Sequence, residues 1–452
     1  MKKKNYITTS ILTVLLAGLI MIFLNKKSKS IQENSLFEIP TISPRLNEDK
    51  PSTEFSQFVS AANKFRNSIQ NDPDNVNNYN ELAQLFLQEA RTTGNHHDYI
   101  PKAEILLDEA LRRQPENFSA LAVSASVLMI KHRFPEARVL AEKALKTNPH
   151  SAFAYGVLSD AYLEMGDYEK AIAACDKMLA IRPDLRSYAR ASYLREIHGD
   201  TQGAITAMQM AADASVMGQE NRAWALYNLG KLYLKTGAID TAEFIFNGIL
   251  EERKNYSFAY SGLSKVAAAR GEFQQALELL RNAYRINPDH GFMEELTEIY
   301  TAIGDTFEAA QRIPKILQEF YHHEEDGWNV NLEFTSFCTI YNIKLDEALD
   351  RIENEYQSRP ENVDVLDAYA WALYKTGQAE AALPMVKKAL RLNTQRPSFY
   401  YHAGMIFKDT GQHELALQFL EKALQSPYFP TELPKAHIED SIISLRSVIA
   451  MK

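Results

Sequence analysis

Two histidine pairs flanked by carboxylates offer the most evident chemistry in this chain, His322-His323-Glu324-Glu325-Asp326 and His96-His97-Asp98. Imidazole and carboxylate together are proper ligands for zinc, nickel or copper, so His96, His97, His322, His323 and Asp326 are candidate metal ligands. Adjacent residues in a loop do not usually all face one ion, and no third cluster at helical spacing supports either pair. The plainer reading is two hydrated loops whose polar side chains cap neighbouring helices. The sharper reading places both pairs on one rim of the molecule. No resident metal or other cofactor is expected.

Other signatures of catalysis are missing from the sequence. There is no glycine-rich phosphate loop after a strand, no GxSxG elbow and no HExxH. Cys175 and Cys338 lie far apart and neither belongs to a CxxC; Cys175 falls on an apolar helix face and reads as a small buried hydrophobe. With no separate domain to house a reaction, the chain reads as non-enzymatic.

The elements that must position any site come from a repeat. Pro115, Pro149 and Pro183 are spaced by 34 residues, and the text before Pro149, Pro183 and Pro288 is similar: KALKTNP, KMLAIRP, NAYRINP. A fixed period of this size means stacked supersecondary units, none able to bury its apolar face alone. Within the unit from Ala152, Tyr155, Leu158, Ser159 and Tyr162 follow one face of a helix. Gly166-Asp167 supplies a stop and a start. Ala171, Cys175 and Met178 mark a second helix, which Pro183 ends. Ser159 and Ala171 are small enough to let the paired helices approach closely.

This pattern resembles the tetratricopeptide repeat. The unit from Ala223 carries Leu226, Leu229, Gly230, Tyr233, Gly237, Ala242 and Phe246, and further close copies begin at Ser257, Val363 and Pro397. Weaker copies begin near Val76, Phe118, Leu185, His290 and Asn329, for about ten units over Val76–Tyr428. The resemblance implies an all-α fold, a right-handed α-solenoid of helix-turn-helix repeats. It implies a concave surface lined by the first helix of each unit. Carried onto this sequence, the partner-binding candidates are Asn228, Lys231, Lys235, Lys265 and His402, with Tyr369 either on that face or in the core. The grip on chaperone C-terminal carboxylates known in this family needs Lys/Asn, Asn and Lys/Arg over three units. Asn228 is preceded by Ala189 and Tyr193 and followed by Phe258 and Gly262, so that clamp is not expected.

The departures from the pattern are expected to matter. About eight extra residues fall in the first unit's turn, around Arg91–His97; His132 stands where glycine is usual; the largest break is near Tyr321–Trp328. Inserts in solenoids map to loops on one edge. Pro314 and Pro384 are expected to kink second helices. The expected organisation is an amino-terminal anchor or uncleaved signal (1–29), a polar tether (30–53), a first repeat segment (54–320), an insert (321–328) and a second repeat segment (329–452) with a capping helix carrying Ile438, Ile442, Ile443 and Leu445. Two superhelical segments would join near residue 325.

Ile7–Leu24 carries no charge and, as a single hydrophobic helix of about 27 Å, would nearly match a bilayer core of about 30 Å. Six lysines within residues 1–30 flank it; the remainder carries 43 basic and 58 acidic residues, which argues against nucleic acid as a partner. The expectation is a single-pass membrane protein with its repeats outside the cytoplasm. It would bind other proteins or peptides along the concave surface. The alternatives are a metal-linked accessory protein using the histidine-rich inserts, or a regulatory subunit of a larger membrane complex.

Overall fold

The computed structural model describes residues 37–45, 52–431 and 433–451, and those residues form 22 α-helices and no strand. The hydrophobic stretch Ile7–Leu24 lies outside the described residues, among which no helix is long and apolar enough to cross a membrane. A first helix, α1 (Thr53–Asn71), precedes ten antiparallel hairpins. These are α2 (Val76–Thr93) with α3 (His96–Arg113), α4 (Phe118–Ile130) with α5 (Phe134–Thr147), α6 (Ala152–Glu164) with α7 (Tyr168–Ile181), α8 (Leu185–Ile197) with α9 (Thr201–Asp213), and α10 (Glu220–Lys235) with α11 (Ile239–Glu252). They continue as α12 (Ser257–Ala269) with α13 (Phe273–Ile286), α14 (His290–Ala302) with α15 (Thr306–Glu325), α16 (Asn331–Tyr341) with α17 (Leu345–Ser358), α18 (Val363–Lys375) with α19 (Ala379–Ala389), and α20 (Pro397–Asp409) with α21 (His413–Leu424). A last helix, α22 (Lys435–Ala450), covers the end of the stack.

The small residues at the helix crossings do more than allow close approach. Ser159 Oγ donates to the carbonyl of Ala171 at 2.8 Å, Ser192 Oγ to Ala204 at 2.7 Å, Ser264 Oγ to Ala276 at 3.0 Å and Thr335 Oγ1 to Ala348 at 3.0 Å. A buried hydroxyl must find a partner, and a carbonyl of the facing helix supplies one. The irregular unit of α16 and α17 keeps this bond even though the rest of its pattern is poor.

The extra residues of the first and seventh units build helix rather than loop. α2 and α3 have 18 residues each, linked only through Gly94-Asn95, and α15 has 20, where the regular units use 13 and 14. The segment 321–325 expected as an insert is therefore the last turn of α15. The expected tether is partly docked: Phe37, Ile39 and Ile42 pack on the first core, the hydroxyl of Tyr99 donates to the Ser43 carbonyl at 2.9 Å, and Arg45 pairs with Glu89 at 2.7 Å. Three apolar side chains in nine residues are enough to hold this strip against α2 and α3. On α22, Ile438, Ile442 and Leu445 are buried as expected, but Ile443 points outward and is 64% exposed.

The stack coils on itself. The hairpin turn of each early unit meets the connection that begins the unit six places later. In the second unit the Asn329 amide donates to the Lys131 carbonyl at 2.9 Å. In the third, Asn362 Nδ2 donates to the Glu164 carbonyl at 2.9 Å, and the Val363 amide donates to the Tyr168 hydroxyl at 2.9 Å. In the fourth, Thr394 Oγ1 donates to the Ile197 carbonyl at 2.5 Å. Val363 and Phe399 join Leu163, Tyr168, Leu194 and Ile197 in one apolar cluster, so the seam between coils has a core of its own. The seam passes residues 321–328 through the Asn329–Lys131 bond, and at this point α15 and α16 meet through the side chains of Phe320, Phe334 and Phe337.

The turn glycines record this. A Cβ added at Gly166 would stand 2.2 Å from the Glu361 carbonyl carbon, and one at Gly199 would stand 2.7 Å from the Asn393 oxygen. At Gly271, in the last turn of the first coil, and at Gly304, Gly377 and Gly411 in the second, a Cβ would meet no described residue within 4 Å. Both groups adopt positive φ, which favours glycine on backbone grounds alone; only the first group is also needed for the seam.

Candidate functional site: a basic cleft and a histidine cluster

The closing of the second coil on the first leaves an open cleft between them. Two adjoining cavities, of about 470 and 710 Å³, lie against α8, α10 and α12 of the first coil and the 393–398 connection of the second. Glu196, Lys231, Lys235 and Arg396 line both. Asn228 lines the smaller one and Lys265 the larger. Four of the five partner-binding residues expected from the sequence are thus brought together. His402 is not among them: its Nδ1 pairs with Asp367 at 2.8 Å and its ring stacks on Trp371 at 4.2 Å. Tyr369 packs against Tyr356, with ring centroids 5.2 Å apart, in the core between units.

Most charges around the cavities are matched. Lys235 pairs with Glu196, Arg396 with Asp364, Lys265 Nζ with Glu295 at 2.5 Å, and Arg190 with Asp160 at 2.6 Å. Burial alone would lower the pKa of Lys265, but Glu295 outweighs it and holds the ammonium charged. Lys231 differs. Its ammonium lies 5.3 Å from the ring centroid of Tyr227, and among the described residues no carboxylate is within ion-pair distance. Burial, reinforced by the like charges of Lys235 and Lys265, pushes its pKa down to about 8. An ammonium so placed gains from any anion entering the cavity. Asn228 turns its amide back to the Trp224 carbonyl at 2.9 Å and leaves its oxygen as an acceptor.

Sequence reasoning missed Arg190, Arg396 and Lys422 on the cavity walls. Arg190 shares the inward face of α8 with Tyr193, and that periodicity was available. Arg396 and Lys422 face the cavity only because the second coil returns to the first, which no local pattern announces.

The histidine pairs meet across the same seam, though not as paired loops. His96 and His97 open α3, and His322 and His323 close α15. Successive residues of a helix point about 100° apart, so each pair divides. His323 is buried at 6% exposure, whereas His322 is exposed and stands away from the cluster. The rings of His97 and His323 are 4.7 Å apart, and His97 Nδ1 lies 2.5 Å from Asp326 Oδ2. His323 Nδ1 donates to the Glu319 carbonyl at 2.8 Å, and its ring is 5.0 Å from those of His290 and Trp328. His96 packs edge-on against Trp328, and burial holds its pKa below the ordinary value. His132, in the left-handed region at φ 55, places Nδ1 3.3 Å from Glu333 and 3.2 Å from the Asn329 carbonyl.

Three tetratricopeptide repeat models match residues 128–195, 258–282 and 397–427. A TPR repeat-containing protein of Methanocaldococcus jannaschii is 24% identical over 339 residues, which is 64% of this chain and 58% of that protein. Protein FlbA of Caulobacter vibrioides is 22% identical over 49% of this chain and 39% of its own length. This chain therefore spans about half, or less, of the curated relatives it matches. Among solved structures, YrrB, a TPR protein with an unusual peptide-binding site, is 21% identical, with 41% of this chain and 94% of that one covered at a TM-score of 0.29. The type IV pilus biogenesis factor PilW is 17% identical, with 45% and 93% covered at a TM-score of 0.38.

Proposed function

From the premise that the chain is a tetratricopeptide-repeat protein, we propose that it is a non-enzymatic scaffold that binds an extended, acidic segment of a partner protein in the cavity between its two coils. The observation that carries this reading is Lys231, an ammonium with no carboxylate partner among the described residues, in a cavity where the neighbouring Arg190, Lys235, Lys265 and Arg396 are each paired. A ligand carboxylate beside it restores the full charge that burial suppresses, and a charge-assisted hydrogen bond of this kind is worth about 1.5–3 kcal/mol. Because the cavity is formed before the ligand arrives, little is lost in ordering the receptor. The acidic surface elsewhere, net about −15 outside the first 30 residues, keeps polyanions such as nucleic acid away and leaves the cavity as the place for a single acidic segment.

The experiment is peptide selection. Displayed libraries are panned against the full chain and against Lys231→Gln, and selected peptides are measured by calorimetry. Expected are sequences rich in Asp and Glu or ending in a free carboxylate, weakened about tenfold by the substitution. Selection of basic or purely apolar peptides, or affinity indifferent to Lys231, overturns the reading.

The same proposal extends to location. The uncharged stretch Ile7–Leu24 with its flanking lysines is read as a membrane anchor holding the repeats outside the cytoplasm, which raises the local concentration for partners in the same membrane. Protease added to intact vesicles should digest the repeats; full protection until the vesicles are opened would reverse the orientation, and recovery of the chain in the soluble fraction would remove the anchor.

A further inference from the structure

From the meeting of α3 and α15 we infer a divalent-cation site of the zinc class that staples the first coil to the second, with His97, Glu319 and His323 as ligands. One ligand atom from each of these residues lies within 4.8 Å of the other two. Around a tetrahedral zinc with bonds of 2.0–2.1 Å, ligand atoms sit about 3.4 Å apart. Closure therefore asks for about 1.4 Å of contraction, within the reach of side-chain rotation at exposed His97 and half-buried Glu319.

The hydrogen bonds already in place prepare the imidazoles. A backbone carbonyl only accepts, so His323 carries its proton on Nδ1 toward Glu319 and keeps the Nε2 lone pair. The Asp326 carboxylate does the same for His97. An imidazole whose second nitrogen is held by a carboxylate or carbonyl is the usual arrangement of a zinc-binding histidine. Two imidazoles and one carboxylate leave a fourth position for water. Asp326 is thus a positioning residue rather than a ligand, and His322, on the far side of the helix, takes no part.

The position gives the ion its effect. His97 belongs to the first unit and Glu319 and His323 to the seventh, the same six-unit offset that the seam follows elsewhere. An ion bound by both coils binds only the closed superhelix, so it stabilises that state by mass action. This inference is independent of the peptide-binding cavity.

The test uses the full chain, freed of any polyhistidine tag and held in mild detergent, titrated with zinc chloride by calorimetry and followed by thermal melting. One ion per chain is expected, with a melting temperature that rises on addition. His97→Ala and Glu319→Gln, at sites open enough to leave folding intact by circular dichroism, should weaken uptake at least tenfold and abolish the rise; His322→Ala should do neither. Absence of stoichiometric uptake by the unsubstituted chain, or uptake unchanged in His97→Ala and Glu319→Gln, which marks an adventitious ion only, overturns the site. Uptake that leaves the melting temperature unchanged overturns the staple.

Discussion

Arg359 donates to both the carboxylate of Glu164, at 2.8 Å, and its backbone carbonyl, at 3.2 Å, across 195 residues of chain. The guanidinium also pairs with Glu355 at 2.5 Å, lies 4.6 Å over the Phe134 ring and is 3% exposed. One side chain of the second coil thus ties the end of α6 and an aromatic face of the first coil to the buried Glu355 carboxylate of its own coil.

Removing Arg359 leaves Glu355, itself 2% exposed, without its charge partner. Breaking one side of a buried pair costs about 3–5 kcal/mol. Arg359→Ala is expected to lose stability in that range by urea denaturation and to raise proteolysis at residues 359–363. A loss under about 1 kcal/mol would mean that the seam does not depend on this contact.

The turn glycines provide a matched pair. Gly271→Ala forces a side chain into the left-handed region and should cost about 1 kcal/mol. Gly166→Ala meets the same strain and also drives a methyl into the Glu361 backbone 2.2 Å away, so its loss should be larger by at least about 2 kcal/mol. Equal losses in denaturation midpoints would show that Gly166 is not at a coil-to-coil contact.

His132 predicts a pH effect. Burial alone would lower its pKa, but the bond to Glu333 outweighs burial and raises it above the ordinary value of 6.5. The fold then favours the charged form, so this stabilisation is complete below pH 6.5 and fades as pH rises through the folded pKa. His132→Gly also relieves the strain at φ 55, worth about 1 kcal/mol. The variant should be less stable than the parent at pH 5.5 relative to its standing at pH 8.5. Melting-temperature differences that do not vary between those two values contradict the tie to Glu333.

Lys231 predicts the opposite slope. Its pKa of about 8, below the unfolded value of 10.5, means that the folded chain releases a proton before the unfolded chain does. Stability attributable to this group therefore rises with pH between about 8 and 10.5. Lys231→Met removes the burden of the buried charge and should be more stable than the parent at pH 7 by about 1–2 kcal/mol, the gap narrowing above pH 10. A variant less stable than the parent at pH 7 would show that the ammonium already has a partner.

How far the sequence reached differs by level. Unit starts at Val76, Phe118, Ser257, Val363 and Pro397 coincide with helix starts, because apolar residues at helical spacing are a local signal. Four cavity residues followed from their places on first helices. The coil-on-coil seam was not legible. It arises from small rotations summed over six units, and Gly166 and Gly271 look alike in sequence although only one touches the next coil. Residues around 91–97 and 321–325 read as loops because they break the 34-residue period, yet they extend helices. His132 stood out as a departure from glycine, but its reason, Glu333, lies 201 positions away.

The second coil closes on the first and thereby builds the cavity. The most direct test is a distance between Asp200→Cys and Gln395→Cys by pulsed electron resonance on spin-labelled full chain; the native Cys175 and Cys338 are buried, and burial pushes their thiols up to about 11 and about 12, so they resist labelling. Gln395 Nε2 lies 3.3 Å from the Gly199 carbonyl, so the account predicts one narrow peak at the shortest distances the method resolves. Six helix pairs stacked at about 10 Å each in an open solenoid would instead separate the labels by about 60 Å, and a distribution centred there would contradict it.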